Sequence, residues 1–74
     1  MMQYCKKIYI QFKDQNTFAK FVMKEDNIPY VYHIDELPRL VFVSKRNGNS
    51  SNLDYKTRWM YHLDDIDYVE MECT

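Results

Sequence analysis

The sequence contains little glycine, proline or cysteine, and these shortages exclude several classes of protein. Its 74 residues include one Gly, two Pro and two Cys. A single glycine excludes the glycine-rich loops that hold phosphate groups, because those loops need backbone N–H groups to approach the oxygens closely. Two cysteines far apart in the chain, without CxxC spacing, exclude the disulfide framework of a secreted mini-protein. We therefore expect Cys5 and Cys73 to be reduced, half-buried thiols.

Long apolar runs are also missing. No stretch approaches the roughly 18–20 apolar residues that a membrane span requires, and residues 1–7 lack the apolar run of a secretory signal. The length leaves room for one hydrophobic core. We expect a single domain over residues 1–74, soluble and located in the cytoplasm.

Aromatic residues and an uneven charge distribution are what the sequence does contain. Apolar residues make up 46% of the chain and aromatic residues 16%, which favours a packed fold over a disordered chain. Residues 1–58 hold all ten Lys and Arg against six acids, net +4, whereas residues 59–74 hold five acids and no Lys or Arg, net −5. The second part is therefore an acidic block on a mildly basic body.

The spacing of apolar residues predicts an α+β fold. Asp14 is a candidate helix N-cap, Phe18, Phe21 and Val22 follow at helical spacing, and Asn27 before Ile28-Pro29 predicts the helix end. Period-2 alternation or apolar runs predict strands near residues 4–12, 30–34, 40–43, 55–63 and 68–73, with a hairpin turn at 47–52. The expected order is β-α-β-β-β-β, a single small domain with a mostly antiparallel sheet and one helix on one face.

One helix covers only one face of such a sheet. The other face is expected to expose apolar side chains that pair with a second subunit or form a recognition surface. The expected residues are Val31, Val41, Val43 and Met60.

Catalytic and metal-binding patterns are missing from the sequence. His33 and His62 have no metal-ligand spacing, and Ser44, Ser50 and Ser51 lie in or beside the predicted turn without a nucleophile motif. We therefore expect a protein that is not an enzyme and that uses no cofactor and no metal.

The acidic C-terminal segment has three interpretations. It is a solvated edge strand whose charges prevent pairing with other chains, an acidic surface complementary to a basic groove on another protein, or a metal site, which the missing EF-hand pattern disfavours. The second interpretation predicts a partner-binding site in which two tyrosines anchor the contact. Its residues are Asp64, Asp65, Asp67, Glu70, Glu72, Tyr61 and Tyr68.

Direct nucleic-acid binding is the alternative function. Lys45, Arg46, Lys56 and Arg58 flank the predicted hairpin, and Tyr55, Trp59 and Tyr61 offer stacking faces. A pI near 6.0 and the acidic segment argue against it, because phosphate binders carry a basic field.

In length and general character the chain resembles the small host-takeover proteins of bacteriophages, and more narrowly a staphylococcal phage inhibitor of the host DNA polymerase sliding clamp. This resemblance implies a homodimer that occupies the DNA channel of the clamp, displaces DNA and blocks replication. The clamp channel is basic because it surrounds DNA, so the acidic segment would act as a local DNA mimic. The net charge of −1 departs from the strongly acidic composition usual in DNA mimics.

Overall fold

The computed structural model describes residues 2–46 and 53–73, with side chains for 2–45 and 58–73. The predicted turn at 47–52 lies outside the described residues. Within them, all strand pairs are antiparallel and all strands belong to one sheet that curls into a half-barrel. The elements are β1 (Met2–Phe12), β2 (Phe18–Val22), β3 (Tyr30–Asp35), β4 (Leu40–Arg46), β5 (Leu53–His62), a 3-10 turn (Leu63–Asp65) and β6 (Ile66–Cys73).

The predicted helix is wrong, and the fold is all-β rather than α+β. Phe18–Val22 forms β2, which pairs with β1 in a hairpin. Phe21 is buried on the inner face, while Phe18 and Val22 lie exposed on the outer face. The spacing of apolar residues that predicted a helix therefore belongs to a strand with apolar residues on both faces. Among the described residues the only helical element is the 3-10 turn. This part of the chain contains no helix that is long and apolar enough to cross a membrane.

Asp14 closes a turn instead of capping a helix. Its carboxylate accepts hydrogen bonds from the Asn16 N–H at 3.1 Å and from the Thr17 hydroxyl at 3.0 Å, and its carbonyl accepts one from the Thr17 N–H at 3.0 Å. Because an Asx turn and a helix N-cap both use an aspartate oxygen as a local acceptor, the sequence signal is the same for both. Asn27 has a left-handed conformation (φ 57°) and lies in a turn after β2, not at the end of a helix.

Strand β1 is central to the sheet. Its first half, Met2 to Cys5, pairs with β3, and Lys7 to Gln11 pairs with β2 along the same edge. The opposite edge of β1 pairs with β6, with a register shift between Cys5 and Lys7. The remaining strands extend from β3 in the order β3-β4-β5. The C-terminal acidic strand therefore lies directly against the N-terminal strand.

The hydrophobic core fills the inner side of the curl. Ile8 and Ile10 of β1 and Val41 and Val43 of β4 are fully buried there. Trp59 of β5 contacts Phe21 of β2 across the inside, with ring centroids 5.0 Å apart.

The predicted exposed apolar face is therefore mostly wrong. Val41 and Val43 are buried because the sheet curls over its own inner face instead of relying on a helix. Val31 is also buried, but on the opposite face, where it pairs with Tyr4 and Ser44. Met60 is exposed as predicted, at 59%.

The two cysteines form a disulfide, which corrects the prediction of reduced thiols. Cys5 is fully buried and Cys73 is exposed, and the two residues are direct cross-strand partners on β1 and β6. The pairing brings together residues separated by 68 positions in the sequence. Disulfides are typical of oxidising compartments, in contrast to the cytoplasmic location expected from the sequence.

Candidate functional site

The outer face of strands β2, β1 and β6 carries a row of aromatic side chains. Gln11 of β1 lies opposite Phe18 on one side and Tyr68 on the other, and Tyr9 lies two residues away on the same face. Residues that are directly opposite or diagonal in an antiparallel ladder share a face and are close enough to touch. We call Phe18, Tyr9 and Tyr68 the outer aromatic row.

The outer aromatic row is in mutual contact and open to solvent. The Tyr9 ring stacks on Phe18 at 5.5 Å between centroids and lies 6.2 Å from Tyr68. Phe18 is 58% exposed and Tyr68 is 46% exposed. The Tyr9 hydroxyl donates a hydrogen bond to Gln11 Oε1 at 2.7 Å, which fixes the central ring. Ordered, exposed aromatic rings of this kind are typical anchors of protein interfaces.

Acidic side chains border the outer aromatic row along β6. Glu70 lies opposite Tyr9, and Glu72 lies opposite Lys7. Partial desolvation raises the pKa of the Tyr68 phenol, and the neighbouring Tyr9, Glu70 and Asp67 raise it further. Asp67 and Glu70 are therefore close enough to act electrostatically on the row. We call the outer aromatic row together with Asp67, Glu70 and Glu72 the docking face.

The other predicted site residues lie elsewhere. Asp64, in the 3-10 turn, accepts hydrogen bonds on Oδ1 from Arg39 Nη2 at 2.8 Å and from Arg39 Nε at 3.1 Å. This interaction lowers the pKa of the Asp64 carboxyl. Asp65 is exposed in the same turn, and its carbonyl accepts the Lys13 N–H at 2.9 Å. The half-buried Tyr61 packs against Phe12 at 5.2 Å, on the core side.

The predicted nucleic-acid surface does not form one face in the described part of the chain. Lys45 Nζ donates to Asp26 Oδ2 at 2.8 Å, and this hydrogen bond lowers the Asp26 pKa. Trp59 packs on the buried Phe21, whereas Arg58 lies over the outer Phe42 ring at 4.2 Å. The predicted side chains of Arg46, Tyr55 and Lys56 lie outside the described residues.

Among the described residues, no group of three or more His, Cys, Asp or Glu side chains is placed to hold a metal ion. His33 lies on β3 and stacks on Phe42 at 6.1 Å, and His62 ends β5. The outer face of the described residues presents aromatic rings and carboxylates.

The fold and the site together define a small all-β half-barrel with an exposed aromatic and acidic docking face. No protein-family model, curated protein or solved structure matches the chain.

The site residues predicted from the sequence include the β6 part of the docking face but not Tyr9 and Phe18. Tyr9 and Phe18 belong to it only because β1 pairs with both β2 and β6. The available signal was the alternation of β1, which places Tyr9 on the face opposite Ile8 and Ile10. Phe18 gave no such signal, because the sequence predicts a helix for its segment.

Proposed function

We propose that this protein is a non-enzymatic inhibitor that binds a host replication protein through the docking face. The partner implied by the phage resemblance is the DNA sliding clamp, whose basic channel the acidic strand would occupy in place of DNA. The carrying observation is that β6 places Glu70 and Glu72 beside an exposed, stacked aromatic row. Such a surface offers aromatic side chains that become buried in a complex and carboxylates that complement a basic groove.

The arrangement supports a binding surface over a merely solvated edge strand. Charges alone would be enough to keep an edge strand from pairing. The exposed apolar area of Phe18, Tyr9 and Tyr68 lowers solubility. An exposed apolar patch of this kind is typical of a surface that is buried in a complex. The rings are already held in position, by stacking and by the hydrogen bond from Tyr9 to Gln11, which lowers the entropy cost of binding.

Two double variants with the same change of net charge test the proposal. Glu70→Gln/Glu72→Gln alters the docking face, whereas Asp64→Asn/Asp65→Asn alters the 3-10 turn. Each protein is titrated into a purified bacterial sliding clamp by calorimetry at low and high salt. We expect the first variant to weaken binding about tenfold or more and to flatten the salt dependence, because it removes charges that meet a basic surface. We expect the second to change affinity less than threefold.

Equal effects of the two variants would contradict the assignment of the docking face. Absence of clamp binding by the unmodified protein would remove the clamp as partner. A pull-down from nuclease-treated bacterial lysate then identifies another partner, and binding of a single-stranded oligonucleotide to the purified protein would favour the nucleic-acid alternative.

A second apolar surface of the monomer is available for the homodimer that the phage resemblance implies. His33 of β3, Phe42 of β4 and Met60 of β5 form a cross-strand row on the outer face, which continues to Met2 of β1. Met2 and Met60 are both more than half exposed. If a second copy covers this row, Met60→Lys should convert the dimer to a monomer in light scattering. An unchanged mass would place the dimer contact elsewhere.

A further inference from the structure

An open cavity of about 420 Å³ lies between β6 and β3, on the opposite side of the sheet from the docking face, because its lining residue Met71 pairs with the buried Ile8. Gln3 of β1 and Tyr32 of β3 are cross-strand partners, and Ile34 lies two residues further along the same face of β3. Met71 of β6 and Glu36, in the turn after β3, complete the lining. The volume falls within the range of ligand pockets, roughly 300–1,000 Å³.

The lining combines apolar walls with hydrogen-bonding groups. Ile34, Met71 and the Tyr32 ring provide apolar surface, and the described lining includes no Lys or Arg. Its polar groups come from three different elements: the Gln3 amide and the Tyr32 hydroxyl, which can each donate or accept, and the Glu36 carboxylate, which only accepts. An anion would meet the Glu36 charge, and a purely apolar group would leave these polar groups unpaired. A cation on an alkyl stem satisfies both parts of the lining.

We propose that this cavity binds an arginine side chain of the partner protein. The guanidinium has five donors in a planar fork and can reach several acceptors at once, whereas a lysine ammonium is a compact, strongly hydrated charge. The alkyl stem of the arginine lies along Ile34 and Met71, and the guanidinium meets Glu36. The inference rests on the proposed function for the source of the arginine, since a basic partner surface supplies such side chains.

The chain's own nearby arginine does not fill this role. Arg39 lies within electrostatic range of Glu36, but its guanidinium is held by Asp64 at 2.8 Å. Arg39 is also not part of the cavity lining. Among the described residues no salt bridge involves Glu36, which leaves its carboxylate available to a cation of the partner.

The test uses a small probe and no partner protein. N-acetyl-arginine methylamide and its neutral isostere N-acetyl-citrulline methylamide are titrated into the isotope-labelled protein and followed by NMR. We expect the arginine probe to shift the signals of Gln3, Ile34 and Met71 and to bind about fivefold more tightly than the citrulline probe. Glu36→Gln should remove this difference, and Glu25→Gln, a matched change outside the cavity, should preserve it.

Three outcomes would overturn the inference. They are equal shifts with both probes, an unchanged preference in Glu36→Gln, and binding of N-acetyl-lysine methylamide or spermidine as tight as that of the arginine probe. Because the probe experiment needs no clamp, its failure would leave the docking face intact. Failure of clamp binding with a positive probe result would instead contradict the proposed function and retain the cavity.

Discussion

Phe18 and Phe21 are two residues of one type on one short strand, and they face opposite sides of the sheet. Phe21 is 7% exposed and contacts Tyr30 and Trp59, while Phe18 stacks on Tyr9 in the outer aromatic row. Removing a buried aromatic ring leaves a cavity in the core, whereas removing an exposed one leaves little. Substitutions at these two residues therefore test stability and partner binding separately.

We expect Phe21→Ala to lower the free energy of unfolding by about 3–5 kcal/mol. Phe18→Ala should lower it by less than about 1 kcal/mol, and should instead weaken partner binding. Denaturant unfolding followed by Trp59 fluorescence measures the first effect, and calorimetric titration the second. Equal destabilisation by the two changes would contradict the inward and outward orientations.

The ion pair of Lys45 with Asp26 makes stability depend on pH. The hydrogen bond from Lys45, followed by that from the Ile28 N–H, lowers the Asp26 pKa below its ordinary value of 3.8. A lowered pKa means that this stabilisation is present above pH 3.8 and is lost as the pH falls through the folded-state pKa. Asp26→Asn should therefore flatten the decline of the melting temperature in this acid range. Glu25→Gln serves as the control for net charge and should retain the decline.

At the scale of the elements, the register between β1 and β6 determines which charges face each other. Lys7 and Glu72 are directly opposite on the outer face. Glu72→Lys places two like charges there and should cost up to about 0.5 kcal/mol, because cross-strand pairs of this kind contribute modestly. The double variant Lys7→Glu/Glu72→Lys should recover that loss in thermal unfolding. Absence of recovery would show that the two side chains do not interact.

The strands with regular alternation or a continuous apolar run were predictable, and β2 was not. The apolar pattern of a strand is visible in the local sequence of β1, at Ile8 and Ile10, and of β4, at Val41 and Val43. In β2 the apolar residues fit either element, and Asp14 offers the same local acceptor to a turn and to a helix. Pairing with β1 decides the outcome, and a long-range contact of this kind cannot be read from a single segment.

The docking face was predictable to a similar extent. The acidic residues of β6, Asp67, Glu70 and Glu72, lie close together in the sequence, so their clustering needed no knowledge of the fold. Their proximity to Tyr9 and Phe18 depends on the register of β2, β1 and β6. The ion pair of Asp64 with Arg39 depends instead on the pairing of β4 with β5, which places Leu40 opposite His62. Charge along one strand is visible in the sequence, while the neighbours across strands are not.

At the scale of the whole molecule, the disulfide closes nearly the entire described chain into one loop. Cys5 and Cys73 are 68 positions apart, and a crosslink over that length restricts the unfolded ensemble by about 4 kcal/mol in the chain-entropy model. We expect Cys5→Ala/Cys73→Ala, or reduction of the native protein, to lower stability by about that amount. Denaturant unfolding with and without reductant, alongside a thiol count, measures it. Equal stability of the two forms would show that the sheet alone fixes the fold.

The position of the disulfide also determines how the protein would respond to mechanical force. Since Cys5 and Cys73 face each other on antiparallel strands, a pull applied between Met2 and Cys73 reaches the covalent bond before it reaches the ladder between β1 and β6. The oxidised protein would transmit tension across its two terminal strands without extending. Once the bond is reduced, the same pull would separate the hydrogen bonds one after another, as in a zipper, and the sheet would open at low force.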